Sequence, residues 1–299
     1  MSDNPFSQFI ELPDGRRLAY AEYGDPHGQA VFYFHGSPSS RLEPTLFDAV
    51  GYDASAAAAK RGLRIIAPDR PGCGLSEFQP GRRILDWPAD VSALADQLGI
   101  DRFAVMSYSA GGPYGLACAA QLPKRVQVAH SISGFGRSLS EPGAMQGMGG
   151  SSFYWKVARI HPWLVGRVVA MQASAPKDKL PPQMASAIAP EDWKFISSPG
   201  VYARFLEVSY IETARCGTRG PAYEAALYWK PWEFSPAQIR VPLHLWHGEA
   251  DLNAPFAHAQ RLSETVPGAQ LHAFAGEGHM TVILRYFDTI LDSIQQTAA

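Results

Sequence analysis

The sequence predicts an α/β fold, a mostly parallel sheet covered by helices on both faces and interrupted once by a long helical insertion. Two observations carry that prediction. Short strand-like apolar runs alternate with helical stretches along most of the chain, and repeated β-α units place their strands parallel with helices above and below. Between Gly134 and Pro231 the rhythm stops: no interior strand is evident, and Tyr154–Arg167 and Val201–Ala214 look helical. The expected division is a core of residues 1–134 and 232–299 with a helical cap of residues 135–231.

Taken in order, Phe9–Leu12 and Arg17–Tyr23 flank the turn Pro13-Asp14-Gly15, as in a hairpin at a sheet edge. Ala30–Phe34 is continuously apolar, as an interior strand covered on both faces requires, and it ends at His35-Gly36-Ser37-Pro38. After a loop, the alanine-rich Asp53–Arg61 reads as helix and Leu63–Ala67 as the next buried strand, running into Pro68–Ser76. Trp87, Val91, Leu94, Ala95 and Leu98 recur at helical spacing, and Gly99 stops that helix before the strand at Phe103–Tyr108. The helix Ala110–Gln121 and strand Val126–Ser133 complete the first part. Beyond the insertion come the strand Val241–Trp246, helix Pro255–Thr265, strand Gln270–Phe274 and helix Thr281–Ile294. Inside the insertion, Pro176–Pro182 reads as an exposed loop.

At 299 residues the chain can bury a sizeable core, and a net charge of -2 without long basic runs gives no footprint for nucleic acid or an anionic membrane. Small molecules are the expected partners. The three cysteines, Cys73, Cys118 and Cys216, are widely separated and have no metal-ligand spacing, so free thiols in a reducing compartment are expected. The amino terminus lacks a basic segment followed by an apolar one, and no stretch approaches the ~18 apolar residues of a membrane span. A cytoplasmic protein without metal or cofactor is the simplest expectation; oligomeric state is not legible.

Ser107-Tyr108-Ser109-Ala110-Gly111 is the chemical centre of the reading. A nucleophile elbow turns so sharply from strand to helix that the residues two before and two after its serine must be small. Gly111 meets that requirement, and Ser107 departs from glycine by one hydroxymethyl group. Ser109 needs a histidine to take its proton and an acid to fix the histidine tautomer. Asp251 follows the strand ending at Trp246, and His279 follows the strand ending at Phe274, so both leave the same sheet edge as Ser109. An oxyanion formed on attack needs backbone donors, which the N–H groups of Ala110 and Ser37 can supply; Pro38 has none. Asp69 and Arg70 read as structural, bonding and holding neighbouring loops. Trp155, Tyr210 and Trp229 are the expected pocket-lining aromatics of the insertion, whose ends leave and rejoin the core between catalytic strand edges.

These segments, His35-Gly36-Ser37-Pro38, Asp69–Ser76, Ser107–Gly112, Asp251 and Gly278-His279, resemble the α/β-hydrolase fold superfamily over nearly the whole chain. The resemblance implies an eight-stranded, mainly parallel sheet, a Ser109–Asp251–His279 triad, and a helical cap in the insertion. Dehalogenases and epoxide hydrolases of that superfamily carry an aspartate at the elbow, so Ser109 points away from both. The expected activity is cofactor-independent serine hydrolysis of an ester, thioester or lactone with an apolar acyl part. Carbon–carbon bond hydrolysis or perhydrolysis with the same triad is an alternative, and a non-catalytic ligand-binding scaffold is another.

Overall fold

The computed structural model describes residues 4–298. Eight strands form one sheet: β1 (Gln8–Glu11), β2 (Arg17–Gly24), β3 (Gln29–Phe34), β4 (Leu63–Pro68), β5 (Phe103–Tyr108), β6 (Val126–Ile132), β7 (Leu243–Gly248) and β8 (Gln270–Phe274). Their spatial order is β1-β2-β4-β3-β5-β6-β7-β8, with β2 antiparallel to both neighbours and every later pairing parallel. The expected eight-stranded, mostly parallel α/β sheet is therefore present. From β3 the chain goes first to β4 on one side, then to β5 on the other. That reversal opens a crevice at the carboxyl edge between the loops leaving β3 and β5.

Period-two alternation sends each strand's side chains to opposite faces. Phe32, Phe34 and Val105 pack with α2 (Trp87–Gln97), α3 (Gly112–Gln121) and α9 (Ala257–Thr265), through Trp87, Val91, Leu116 and Leu262. Val31, Tyr33, Ala104 and Met106 face the other layer, α1 (Ala54–Ala59) and α10 (His279–Ala298), through Ala58, Val282, Phe287 and Ile290. Burial on both sides explains why these strands read as unbroken apolar runs.

Between β6 and β7 the described chain is helical: α4 (Ser151–Ile160), α5 (Pro162–Ala173), α6 (Pro190–Ile196), α7 (Val201–Leu206) and α8 (Arg219–Leu227). The single helix expected over Tyr154–Arg167 is two. His161, at φ -135° and ψ 70°, leaves the helical region because it precedes Pro162, which instead starts α5. The helix expected over Val201–Ala214 likewise ends early, passing into a wider π turn at Glu207–Ile211 that directs Ser209 and Tyr210 toward the sheet edge. Trp155, Val165 and Tyr228 join the main core, while Ile196, Val201, Tyr202 and Leu206 form a small cluster within the insertion. Two buried charge clusters fasten the insertion to the core: Arg41 with Asp69 and Glu212, and Glu224 with Arg70 and Arg82. No described helix is long and apolar enough to cross a membrane.

Candidate active site

Ser109 sits where β5 gives way to a short 3-10 turn, Ser109–Gly111, before α3. Its φ of 54° is a conformation L-residues seldom adopt and sharpens the turn that lifts the side chain off the sheet. Gly111 is obligatory here, since a Cβ would lie 2.2 Å from the Phe34 carbonyl oxygen. Ser107 fits because it faces Gly115 on α3, where a Cβ would lie 2.5 Å from the Ser107 Oγ. The Ser107 hydroxyl donates to the His130 carbonyl at 3.1 Å. The hydroxymethyl group that replaces glycine at the elbow thus occupies space that glycine leaves open on the facing helix.

His279 opens α10, and its Nε2 lies 2.8 Å from Ser109 Oγ. Its Nδ1 lies 2.8 Å from Asp251 Oδ2. The other carboxylate oxygen, Asp251 Oδ1, accepts from the backbone N–H groups of Asn253 (2.7 Å) and Ala254 (2.9 Å). His247 Nε2 donates to the Ala254 carbonyl at 2.7 Å and stands 3.3 Å from Asp251 Oδ2. Burial opposes the Asp251 charge, but His279 and the bond from His247 outweigh it and hold this carboxyl well below the ordinary range. Burial likewise opposes protonation of His279, yet the Asp251 charge and hydrogen bond, with lesser contributions from Asp192 and Glu43, leave its pKa raised.

Ser37 and Ala110 flank Ser109, one in the loop leaving β3 and one directly after Ser109 in the chain. Two groups hold the first loop. Arg70 Nη1 and Nη2 donate to the carbonyls of His35 (2.5 Å) and Gly36 (2.7 Å). Glu43 Oε2 accepts from the Gly36 N–H (3.0 Å) and from the Tyr33 hydroxyl (2.7 Å). Burial pushes the Glu43 carboxyl up despite those bonds. Asp69 accepts from the backbone N–H groups of Arg41 (2.6 Å) and Leu75 (2.9 Å), so it bonds loop amides.

Ser109 and His279 open into a cavity of about 290 Å³ between the carboxyl edge of the sheet and the insertion. Its apolar wall includes Phe135, Trp155, Met184, Ile188 and Phe205, and Tyr210 also lines it. Trp229 lies elsewhere. It borders a separate surface hollow, and its Nε1–H donates to the Trp155 carbonyl at 2.7 Å, so it stands behind the wall. Larger hollows on the surface contain none of Ser109, Asp251 and His279. The Ser37 Oγ and Tyr154 hydroxyl, both at the cavity, lie close together without a well-formed protein hydrogen bond. Glu43, His247 and Tyr154 were not singled out by the sequence pattern. His247 carried the one usable signal, standing at the end of a strand four residues before Asp251.

An uncharacterised hydrolase, YcgS, of Bacillus subtilis is 32% identical over 38% of this chain, a match that spans only 36% of that relative. The bifunctional esterase/perhydrolase of Acinetobacter calcoaceticus is 22% identical over 91% of this chain and 92% of its own. Among solved structures, the enol-lactonase of Burkholderia xenovorans LB400 superposes with a TM-score of 0.71 at 19% identity, covering 97% of this chain and 99% of that one. The family model for the alpha/beta hydrolase fold matches residues 29–286, which run from the first parallel strand into the helix that carries His279, and the chain therefore belongs to the α/β-hydrolase fold family.

Proposed function

We propose that this protein is a cofactor-independent serine hydrolase acting on an ester, thioester or lactone with an apolar acyl part. The observation that carries the reading is the unbroken hydrogen-bonded series Ser109–His279–Asp251, whose first two members line an apolar cavity. His279 Nε2 takes the Ser109 proton as the hydroxyl attacks the acyl carbon, while Nδ1–H donates to Asp251, which stabilises the imidazolium. The N–H groups of Ala110 and Ser37 hold the oxyanion. Collapse expels the leaving group, protonated by His279, and leaves an acyl-serine. Water, deprotonated by the same nitrogen, then releases the acid.

Residues 135–231 act as a cap that closes the acyl pocket, with Trp155 and Tyr210 on its wall. The Ser37 and Tyr154 hydroxyls supply polar contacts for the substrate next to the reacting bond. Full-length similarity to an esterase/perhydrolase supports the ester reading without fixing the substrate. The test is labelling with a fluorophosphonate, which mimics the tetrahedral intermediate, followed by a panel of acyl esters of graded chain length with a lactone and a diketone. One adduct on Ser109, absent from Ser109→Ala and strongly reduced in His279→Ala, is expected. A folded protein that takes no label would favour a non-catalytic binding scaffold. Labelling with turnover of the diketone alone would move the activity to carbon–carbon bond hydrolysis.

A further inference from the structure

The carboxylate of Asp192 belongs to α6 in the insertion, yet it serves the first turn of α10. Its Oδ2 accepts from the His279 N–H at 2.6 Å, and its Oδ1 accepts from the N–H groups of Met280 (2.8 Å) and Thr281 (3.0 Å). The residue is 1% exposed. The first N–H groups of a helix have no partner inside it, and a neighbouring side chain ordinarily supplies one. Here the preceding residue is Gly278, and a Cβ on it would lie 2.3 Å from Asp192 Oδ2. The local position is left empty, and a side chain distant in sequence fills it.

The same histidine is held from the opposite side. Its carbonyl accepts from the Ser133 hydroxyl at 3.0 Å and the Tyr108 hydroxyl at 3.4 Å, both at the ends of core strands. A surface ion pair between Glu191 and Arg285, at 2.7 Å, also joins α6 to α10. The backbone that carries the candidate base is thus clamped between the sheet and the insertion.

We propose that Asp192 is a positioning residue for His279, so that seating the insertion delivers a carboxylate to the amino end of α10 and fixes the imidazole in register with Ser109 and Asp251. The assignment rests on the Ser109–His279–Asp251 reading. It gives the insertion a part in assembling the reactive array besides walling the pocket. A second consequence is electrostatic. His279 faces Asp251 from the loop after β7, Asp192 from α6 and Glu43 from the 3-10 segment Glu43–Val50; the Tyr108 ring packs against it, and His247 reaches it only through Asp251. All three carboxylates favour the imidazolium, so removing the Asp192 charge lowers the pKa of His279 and moves the acid limb of reactivity to lower pH.

The experiment measures the rate of fluorophosphonate labelling against pH in the full chain and in Asp192→Asn, Asp192→Glu and Glu191→Gln, with circular dichroism confirming that each is folded. Asp192→Asn should label about tenfold or more slowly on the alkaline plateau, the scale of a misplaced catalytic group, with its acid limb displaced downward. Asp192→Glu keeps the charge but cannot serve the three N–H groups in the same geometry, so it should slow labelling while leaving the limb nearer wild type. It also carries the test if the asparagine variant does not fold. Glu191→Gln, which removes only exposed ion pairs, those with Arg285 and Lys194, should stay within about twofold. Wild-type rates and an unmoved limb in folded Asp192 variants would overturn the assignment alone. Absence of Ser109 labelling in the wild type would instead remove the reading beneath it.

Discussion

Glu224→Gln perturbs the buried charge cluster that ties the insertion to the loop beside Ser109. Glu224, on α8 and 1% exposed, accepts from Arg70 Nε (2.5 Å) and Nη2 (3.0 Å), Arg82 Nη2 (3.3 Å) and the Tyr114 hydroxyl (3.2 Å). Burial opposes its charge, but Arg70 and Arg82 prevail and hold the carboxyl far below its ordinary value. Glutamine keeps the shape and leaves two buried guanidinium ions against a neutral amide. Removing one partner of a buried ion pair costs about 3–5 kcal/mol. With an unfolding entropy of about 0.6 kcal/mol/K for a chain of this length, Tm should fall by about 5–8 °C. Scanning calorimetry at neutral pH measures this. A depressed carboxyl contributes stability above the ordinary carboxylate range and loses it as pH falls through its folded value, so the gap between wild type and variant should narrow in acid. Labelling of Ser109 should slow as well, because Arg70 also bonds the His35 and Gly36 carbonyls. A Tm within about 1 °C of wild type would refute the reasoning, since the arginines would then be compensated without Glu224.

That cluster also marks where the sequence stops being readable. The sheet was legible because strands covered on both faces must be apolar at every position, and the order Ser109, Asp251, His279 was legible because each stands where a strand gives way to a loop. Arg70 could be read as a loop-holding residue, but its partner could not. Glu224, Glu212 and Asp192 are acids in short amphipathic stretches, the composition of an ordinary solvated helix face, and only the packing of the insertion onto the core buries them. The same holds for the aromatics. Trp155 and Trp229 share one region and one chemistry, yet Trp155 lines the cavity while Trp229, just beyond α8, borders a separate hollow and donates to the Trp155 carbonyl. Local pattern specifies which residues are apolar; the crossing of helices distant in sequence decides which of them meets a ligand. The 3-10 segment Glu43–Val50, which carries Glu43 to the Gly36 N–H, was hidden for a related reason, since Glu43 lies in a stretch without clear helical periodicity.

Further perturbations test the reactive array and its scaffold. In the proposed mechanism His279 must be neutral to accept the Ser109 proton, and its pKa is raised, so activity should fall with an acid midpoint above the ordinary histidine value of about 6.5. Asp251→Asn should lower that midpoint and cost on the order of 10³-fold or more in rate, as loss of the correct tautomer does; near-normal turnover would assign the orienting role to another carboxylate. At the elbow, Gly115→Ala places a Cβ 2.5 Å from the Ser107 Oγ and 2.8 Å from its Cβ, in a fully buried layer where neither backbone is free to retreat. Overpacking of that kind costs about 1–3 kcal/mol. Ser107→Gly alone should cost about 1 kcal/mol by losing the bond to the His130 carbonyl. Combined, the two should be less destabilising than their sum, because glycine at 107 vacates the space alanine at 115 needs. Denaturant unfolding of the four proteins measures the coupling, and strict additivity would show that Ser107 does not owe its place at the elbow to Gly115.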